Sequence, residues 1–240
     1  MRVSSSLRGR DRVTRAERDR QFWRDVLLSG GFTALPRWTR WPAAGVGEHE
    51  ARVPDELVAA LRRLADELAV PLGSVLLTAH AKVLGALSGE RVVWTGYAAV
   101  EGRPPLPCRM TTAPRSWRAL LLETRRSEVE LLSHEDFPVD DLRRELGLTG
   151  PSFETVFCRA EDDAGGELPE GSVLRFGILE DDGLVLRLRY RTEALDGDCA
   201  ARIAGYHVAA LAMIAADSFL MKGEDVPHRA HWGGNPAREM

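Results

Sequence analysis

From residue 184 to residue 192 the chain alternates without a break. Leu184, Leu186, Leu188 and Tyr190 fall on one side, and Val185, Arg187, Arg189 and Arg191 on the other. A period of two is the mark of a strand with one buried face and one wet face. Such a strand demands a sheet, and the sheet demands an apolar cover. Several helical patterns can supply it. Leu57, Leu61, Leu64, Ala65 and Leu68 recur at helical spacing behind Pro54-Asp55-Glu56. That start places proline in the first turn and acids against the positive end of the dipole. Val70-Pro71 breaks the pattern, and residues 72 to 87 follow as a helix apolar almost all round, which belongs between layers. Residues 116 to 133 form an amphipathic helix with Trp117, Leu120, Leu121, Thr124, Leu131 and Leu132 on one side. A last long helix runs to about residue 217, capped by Asp196 or Asp198, with Ile203, His207, Leu211 and Ile214 turned inward.

Shorter patterns complete the layout. Residues 15 to 28 read as a helix carrying Phe22, Val26, Trp23 and Leu27, stopped by Gly30-Gly31. Residues 139 to 146 read as a short helix ended by Gly147. Residues 91 to 98 and 153 to 159 read as strands. Residues 32 to 50, with Pro36, Trp38, Trp41 and Pro42, read as an irregular crossing segment. Pro104, Pro105 and Pro107 exclude regular structure around them. Residues 161 to 171 are an acidic loop. Long helices among few strands predict one α/β layered domain. We expect a flexible basic arm over residues 1 to 15, the domain over 16 to 222, and a flexible polar tail over 223 to 240.

Composition narrows the function classes. The chain is 44% hydrophobic and 28% charged, which is ordinary for a soluble globular protein. No apolar run reaches the ~18 residues of a membrane span. The Arg-rich start lacks the apolar core of a secretory signal. Three cysteines (Cys108, Cys158 and Cys199), odd in number and far apart, fit a reducing cytoplasm. A net charge of -4 gives no case for nucleic acid.

A set of segments in fixed order resembles the condensation domains of non-ribosomal peptide synthetases, in the chloramphenicol-acetyltransferase-like superfamily. Gln21-Phe22-Trp23-Arg24-Asp25-Val26-Leu27 resembles the Tyr-Trp helix near the join between lobes. Residues 53 to 87 resemble the family's two successive helices, and residues 92 to 104 its strand and "GRP" turn. His134-Glu135-Asp136-Phe137-Pro138-Val139-Asp140 resembles its "HQD-x-P" motif. Pro151-Ser152-Phe153-Glu154-Thr155-Val156-Phe157 resembles its "PLFQVMF" strand, and residues 184 to 196 its "L-Y-T-LFD" strand and turn. The resemblance implies a single lobe of this fold, a mixed β-sheet packed with long helices. It also exposes departures. The family's catalytic "HHxxxDG" lies in an N-terminal lobe, and no His-His pair occurs in this sequence. The "GxFxNTxPLR" segment after the GRP turn is reduced to Pro105-Leu106-Pro107-Cys108-Arg109. The stretch before the strand at residue 184 is short, so the bridging parts are expected to be missing too.

The candidates for chemistry are few. His134 is the most tempting base, but the resemblance gives its position a structural role at a helix end. His207 lies on an apolar helix stripe, as a core or groove histidine does. Cys108 falls in the shortened loop, where a thiol can be exposed, but no base stands beside it in sequence. His49 and His80 have no motif around them, and His228 and His231 lack a third metal ligand nearby. No phosphate-binding glycine loop occurs, and no cofactor or metal is expected. Arg187, Arg189 and Arg191 could meet a phosphopantetheine arm or an acidic carrier, or form a solvated face paired with acids such as Glu180 and Asp181. The resemblance thus implies a non-catalytic accessory protein of peptide-antibiotic biosynthesis that binds an adenylation or carrier-protein partner. The alternative is a trans-acting amide- or ester-forming acyltransferase, completing its site with another lobe or using a new one near His134 or His207. Apolar surface left by a missing mate would favour a homodimer or hetero-complex.

Overall fold

The computed structural model describes residues 3–99, 103–113, 116–159, 168–181, 183–220, 232–233 and 238–239. In chain order the elements are α1 (Val3–Leu28), β1 (Val46–Val53), α2 (Asp55–Leu68), α3 (Leu72–Ser88), β2 (Val92–Ala98), β3 (Leu106–Thr111), α4 (Trp117–Ser133), α5 (Val139–Glu145), β4 (Thr155–Cys158), β5 (Leu174–Asp181), β6 (Gly183–Arg191) and α6 (Gly197–Leu220). A two-residue ladder, β7 (Trp232–Gly233) with β8 (Arg238–Glu239), follows. The six main strands form one mixed sheet in the order β1-β6-β5-β4-β2-β3. The β5–β4 and β4–β2 pairs are parallel and the others antiparallel.

The alternating strand is β6, second from the edge. Leu184, Leu186 and Leu188 are fully buried, as their spacing demands. Each contributes about 1.5–3 kcal/mol by leaving water. Phe176 and Ile178 of β5 and Phe157 of β4 join the same hydrophobic core. Helices α2, α3 and α6 close over it. Residues 74 to 81 of α3 are all buried, so this helix does sit between layers. Helix α2 starts at Pro54 with Asp55 and Glu56 in its first turn, and Ser116 caps α4 by accepting from the Ala119 amide at 3.2 Å. Asp196 caps α6, its carboxylate accepting from the Cys199 amide at 2.9 Å. By length and composition Gly197–Ala216 of α6 could cross a membrane, yet half of it is buried inside this fold, as in a core helix.

Three strands depart from the sequence reading. β1 lies in the segment read as irregular. Only Val53 among its eight residues is buried, so it has no apolar face to betray it. All eight of its residues pair with β6, which recruits it as an edge. β3 forms through the proline-rich stretch read as irregular. It is the edge strand next to β2, and an edge position tolerates Pro107 because one side of the strand needs no amide. β5 occupies the stretch read as short of bridging parts and makes a tight hairpin with β6.

The opposite face of the sheet is covered over β2 by the crossing segment. Gly31 has φ 133, and a side chain there would strike the Trp94 ring 1.9 Å away. Both the backbone and the close approach require glycine. Helix α1 includes residues 3 to 15, the stretch read from composition as a separate arm. The acidic stretch 160–167 and most of the tail after residue 220 lie outside the described residues.

Candidate functional site

The histidines come first, because they are the residues most able to move a proton. His207 of α6 is buried and does not stand alone. Its Nε2 faces Nδ1 of His80, on α3, at 3.1 Å. Its own Nδ1 lies 2.8 Å from the Ile203 carbonyl, one turn back. A carbonyl only accepts, so Nδ1 of His207 carries hydrogen. Burial pushes His207 down to about 4, the Ile203 carbonyl opposing, so near neutral pH the ring is neutral and its Nε2 is bare. His80 must then donate from Nδ1. Burial, assisted by His207, holds His80 well below the usual histidine range, so its Nε2 is bare as well. That nitrogen faces the Thr95 hydroxyl at 3.3 Å, whose single hydrogen it shares with the Thr155 carbonyl at 3.0 Å. Thr155 in turn donates to Thr95 at 2.9 Å. The result is a buried hydrogen-bond relay that links β4 and β2 through α3 to α6. Phe176 stacks on His207 with centroids 4.2 Å apart, and Phe157 and Phe176 flank His80 at 5.5 and 5.2 Å. His80 is 0% and His207 1% exposed, so no substrate reaches either ring.

His134 ends α4, as its motif position suggested. Its Nδ1 meets Asp19 of α1 at 2.6 Å, and its ring stacks on Phe22 with centroids 4.1 Å apart. Its carbonyl accepts from the Trp23 indole at 2.9 Å. The motif histidine is therefore a clasp that fixes α1 to the α4–α5 turn. Cys108 lies within β3 rather than on an open loop and is only 2% exposed. Burial, with Glu128 adding to it, pushes its thiol up to about 12, which leaves almost no thiolate.

The arginine row faces β1. Arg187 lies 2.7 Å from Glu50 and 3.6 Å from Glu48, and Arg189 lies 3.3 Å from Glu48. Arg191 donates from Nε to the Ser172 carbonyl at 2.8 Å. Strand register explains the pairing, since Glu48 is opposite Arg189 and Glu50 opposite Arg187. The acids are not those nearest in sequence: Glu180 instead meets Arg62 at 3.5 Å.

A second buried polar cluster had no signal in the sequence. Glu128 of α4 is fully buried and accepts from Ser74, from the Tyr97 hydroxyl at 2.6 Å and from Arg125 at 3.0 Å. Burial and Glu128 together hold Tyr97 far above its usual range. Similarly, Arg37 grips Glu154 with both nitrogens, one at 2.9 Å, and the Leu35 amide donates to Glu154 at 2.8 Å. Burial pushes Glu154 up, but Arg37 and that amide outweigh it and hold the carboxyl below its usual range.

One open feature gathers the family-like motifs. Arg103 and Pro104, the segment after His134 and the chain around Phe153 and Pro169 enclose a cleft of about 470 Å³. Its lining includes the partly buried Phe137 and Phe153, the acids Glu135, Asp140, Asp141 and Glu170, and the arginines Arg103 and Arg143. Among the described residues no histidine or cysteine lines it. Among the described residues no three His, Cys, Asp or Glu gather as a metal site. His228 and His231 lie outside the described residues.

The sheet and its helical layer match about half of a condensation domain. The first condensation domain of the CDA synthetase superposes with a TM-score of 0.67 at 21% identity, covering 89% of this chain and 54% of that one. The X-domain in its complex with OxyB from teicoplanin biosynthesis gives 0.69 at 20% identity, covering 85% of this chain and 54% of that one. In sequence, the chain is 27% identical over 210 residues to tyrocidine synthase 3 of Brevibacillus parabrevis, covering 73% of this chain and 3% of that protein. It is 28% identical over 181 residues to the AMB antimetabolite synthetase AmbE of Pseudomonas aeruginosa, covering 67% of this chain and 8% of that protein. No family profile matches. The chain has a condensation-domain-like mixed α/β fold. It spans about half of the solved domains and under a tenth of the curated synthetases it matches.

Proposed function

We propose that this chain is a non-catalytic, condensation-like accessory protein of non-ribosomal peptide biosynthesis, acting in the cytoplasm by docking an adenylation or carrier-protein partner. The placement of the histidines carries this reading. His80 and His207 are locked in a relay without solvent access, and His134 is held between Asp19 and Phe22. A general base must reach the proton it abstracts, directly or through one water, and neither buried ring can. Relatives with this fold support the docking half: one solved neighbour is an X-domain in complex with OxyB, and another is a four-domain synthetase.

The test is direct binding. The purified chain is immobilised and exposed to purified adenylation and carrier domains of peptide synthetases from the same organism, with biolayer interferometry as the readout. Saturable binding to at least one is expected. Absence of binding to every one of them overturns the proposal.

A further inference from the structure

The cleft differs from the rest of the molecule in the balance of its hydrogen-bonding groups. Pro104, Pro105, Pro107, Pro138 and Pro169 contribute to its walls. A proline offers a carbonyl and no amide hydrogen, so these five positions add acceptors to the lining without adding backbone donors. The lining acids extend the imbalance. Asp141 pairs with Arg144, and Arg103 with Asp136 at 3.1 Å. Arg143, the other lining arginine, donates to the Gly150 carbonyl. Among the described residues Glu135, Asp140 and Glu170 have no ion-pair partner. Of the lining charges without an ion-pair partner, three are carboxylates and one, Arg143, is a guanidinium, so the cleft is net negative.

We propose that this cleft docks an extended peptide segment of a protein partner, in which arginine or lysine flanks an apolar residue. Charge complementarity gives the first half. An acceptor-rich, negative lining is matched by a donor-rich cation, and a guanidinium offers five donors in one plane. The aromatic lining gives the second half. Phe153 packs so closely over Gly96 that a Cβ there would lie 2.5 Å from its ring, so the ring is fixed. Together with Phe137 it makes an apolar seat for an anchor side chain. The acids stand on separate segments: Glu135 follows α4, Asp140 is in the first turn of α5, and Glu170 precedes β5. Cations must arrive at several points around one apolar anchor, which a peptide provides and a single amine does not. The inference rests on the docking reading above and names the chemistry of the docked segment.

The test uses the full chain and fluorescence anisotropy. The probe is a fluorescein-labelled peptide of three Arg-Phe-Pro repeats, beside the same peptide with Glu in place of Arg. The arginine peptide is expected to bind, more weakly as salt rises, and about tenfold tighter than the acidic one. The combined Glu135→Gln, Asp140→Asn and Glu170→Gln variant is expected to lose about tenfold in affinity with unchanged melting temperature. Should that variant fold poorly, Glu170→Arg alone serves, with a smaller loss expected. Equal binding of both peptides, undiminished binding by the folded variants, or displacement by spermine as effective as by unlabelled peptide would each overturn the proposal. An adenylation or carrier domain that binds wild type and triple variant equally, with no arginine-peptide binding, leaves the docking reading standing and removes this one.

Discussion

Polar groups gather in two kinds of place in this protein, and the two handle them in opposite ways. In the layer between the helices and the sheet, each imidazole nitrogen of His80 and His207 and both oxygens of Glu128 have partners inside the fold. In the proline-walled cleft, carboxylates stand open with no partner among the described residues. The buried groups resemble catalytic machinery in kind but not in access. The difference teaches that residue type alone is a poor guide to function in such a lobe. Its most reactive side chains hold elements together, and its open surface presents acceptors rather than nucleophiles.

The comparison can be broken most severely at Glu128. Glu128→Ala leaves Ser74, Tyr97 and Arg125 without their acceptor and opens a cavity, and is expected to cost about 3 kcal/mol in urea unfolding. A loss under about 1 kcal/mol would mean that the cluster is not structural. The relay comes next. His207→Leu strands a donor on His80, and His80→Leu strands a bare nitrogen on His207, each at about 2 kcal/mol. The double variant removes both ends together, so the two costs should fall short of additive by about 1 kcal/mol.

Acid gives a smaller and graded effect. Both histidines titrate lower in the folded chain than in the unfolded one, where they protonate near 6.5. The unfolded state therefore binds more protons below about pH 6.5, and stability falls as pH drops from there toward about 4, where folded His207 also protonates. The slope is at most about 1.4 kcal/mol per pH unit for each histidine. Melting curves of His207→Leu across this window should show a flatter decline than wild type. The smallest effect belongs to the cleft. Neutralising its three open acids should move stability by no more than about 0.5 kcal/mol, because none has an ion-pair partner among the described residues and only Asp140, in the first turn of α5, meets a helix dipole.

Much of this was legible in the sequence. The period of two in β6, the acidic cap of α6 narrowed to Asp196 or Asp198, and the all-round apolar α3 each marked an element because one local rule dominated. β1 was not legible, since Glu48, His49 and Glu50 give a strand no apolar face, and only pairing with β6 makes it one. β3 hid behind Pro107, because an edge position is a property of the assembled sheet and not of the segment. The site was less legible than the fold. His207 reads as a stripe residue, but its partner His80 lies 127 positions away in sequence and meets it only when α3 crosses α6. Glu128 sits in a helix rich in charge, where an acid reads as solvated until Ser74 and Tyr97 close over it. The cleft was half visible, as two motifs that the fold brings together.

The most direct measurement of whether this lobe works by docking is an acyl-transfer assay on the chain by itself. The purified protein is mixed with an acyl thioester and an amine acceptor, and amide is followed by mass spectrometry against buffer and against the His134→Ala and His207→Leu variants. The account predicts product at the buffer rate for all three proteins. Amide formation above buffer by wild type, lost in either variant while that variant remains folded, would contradict it.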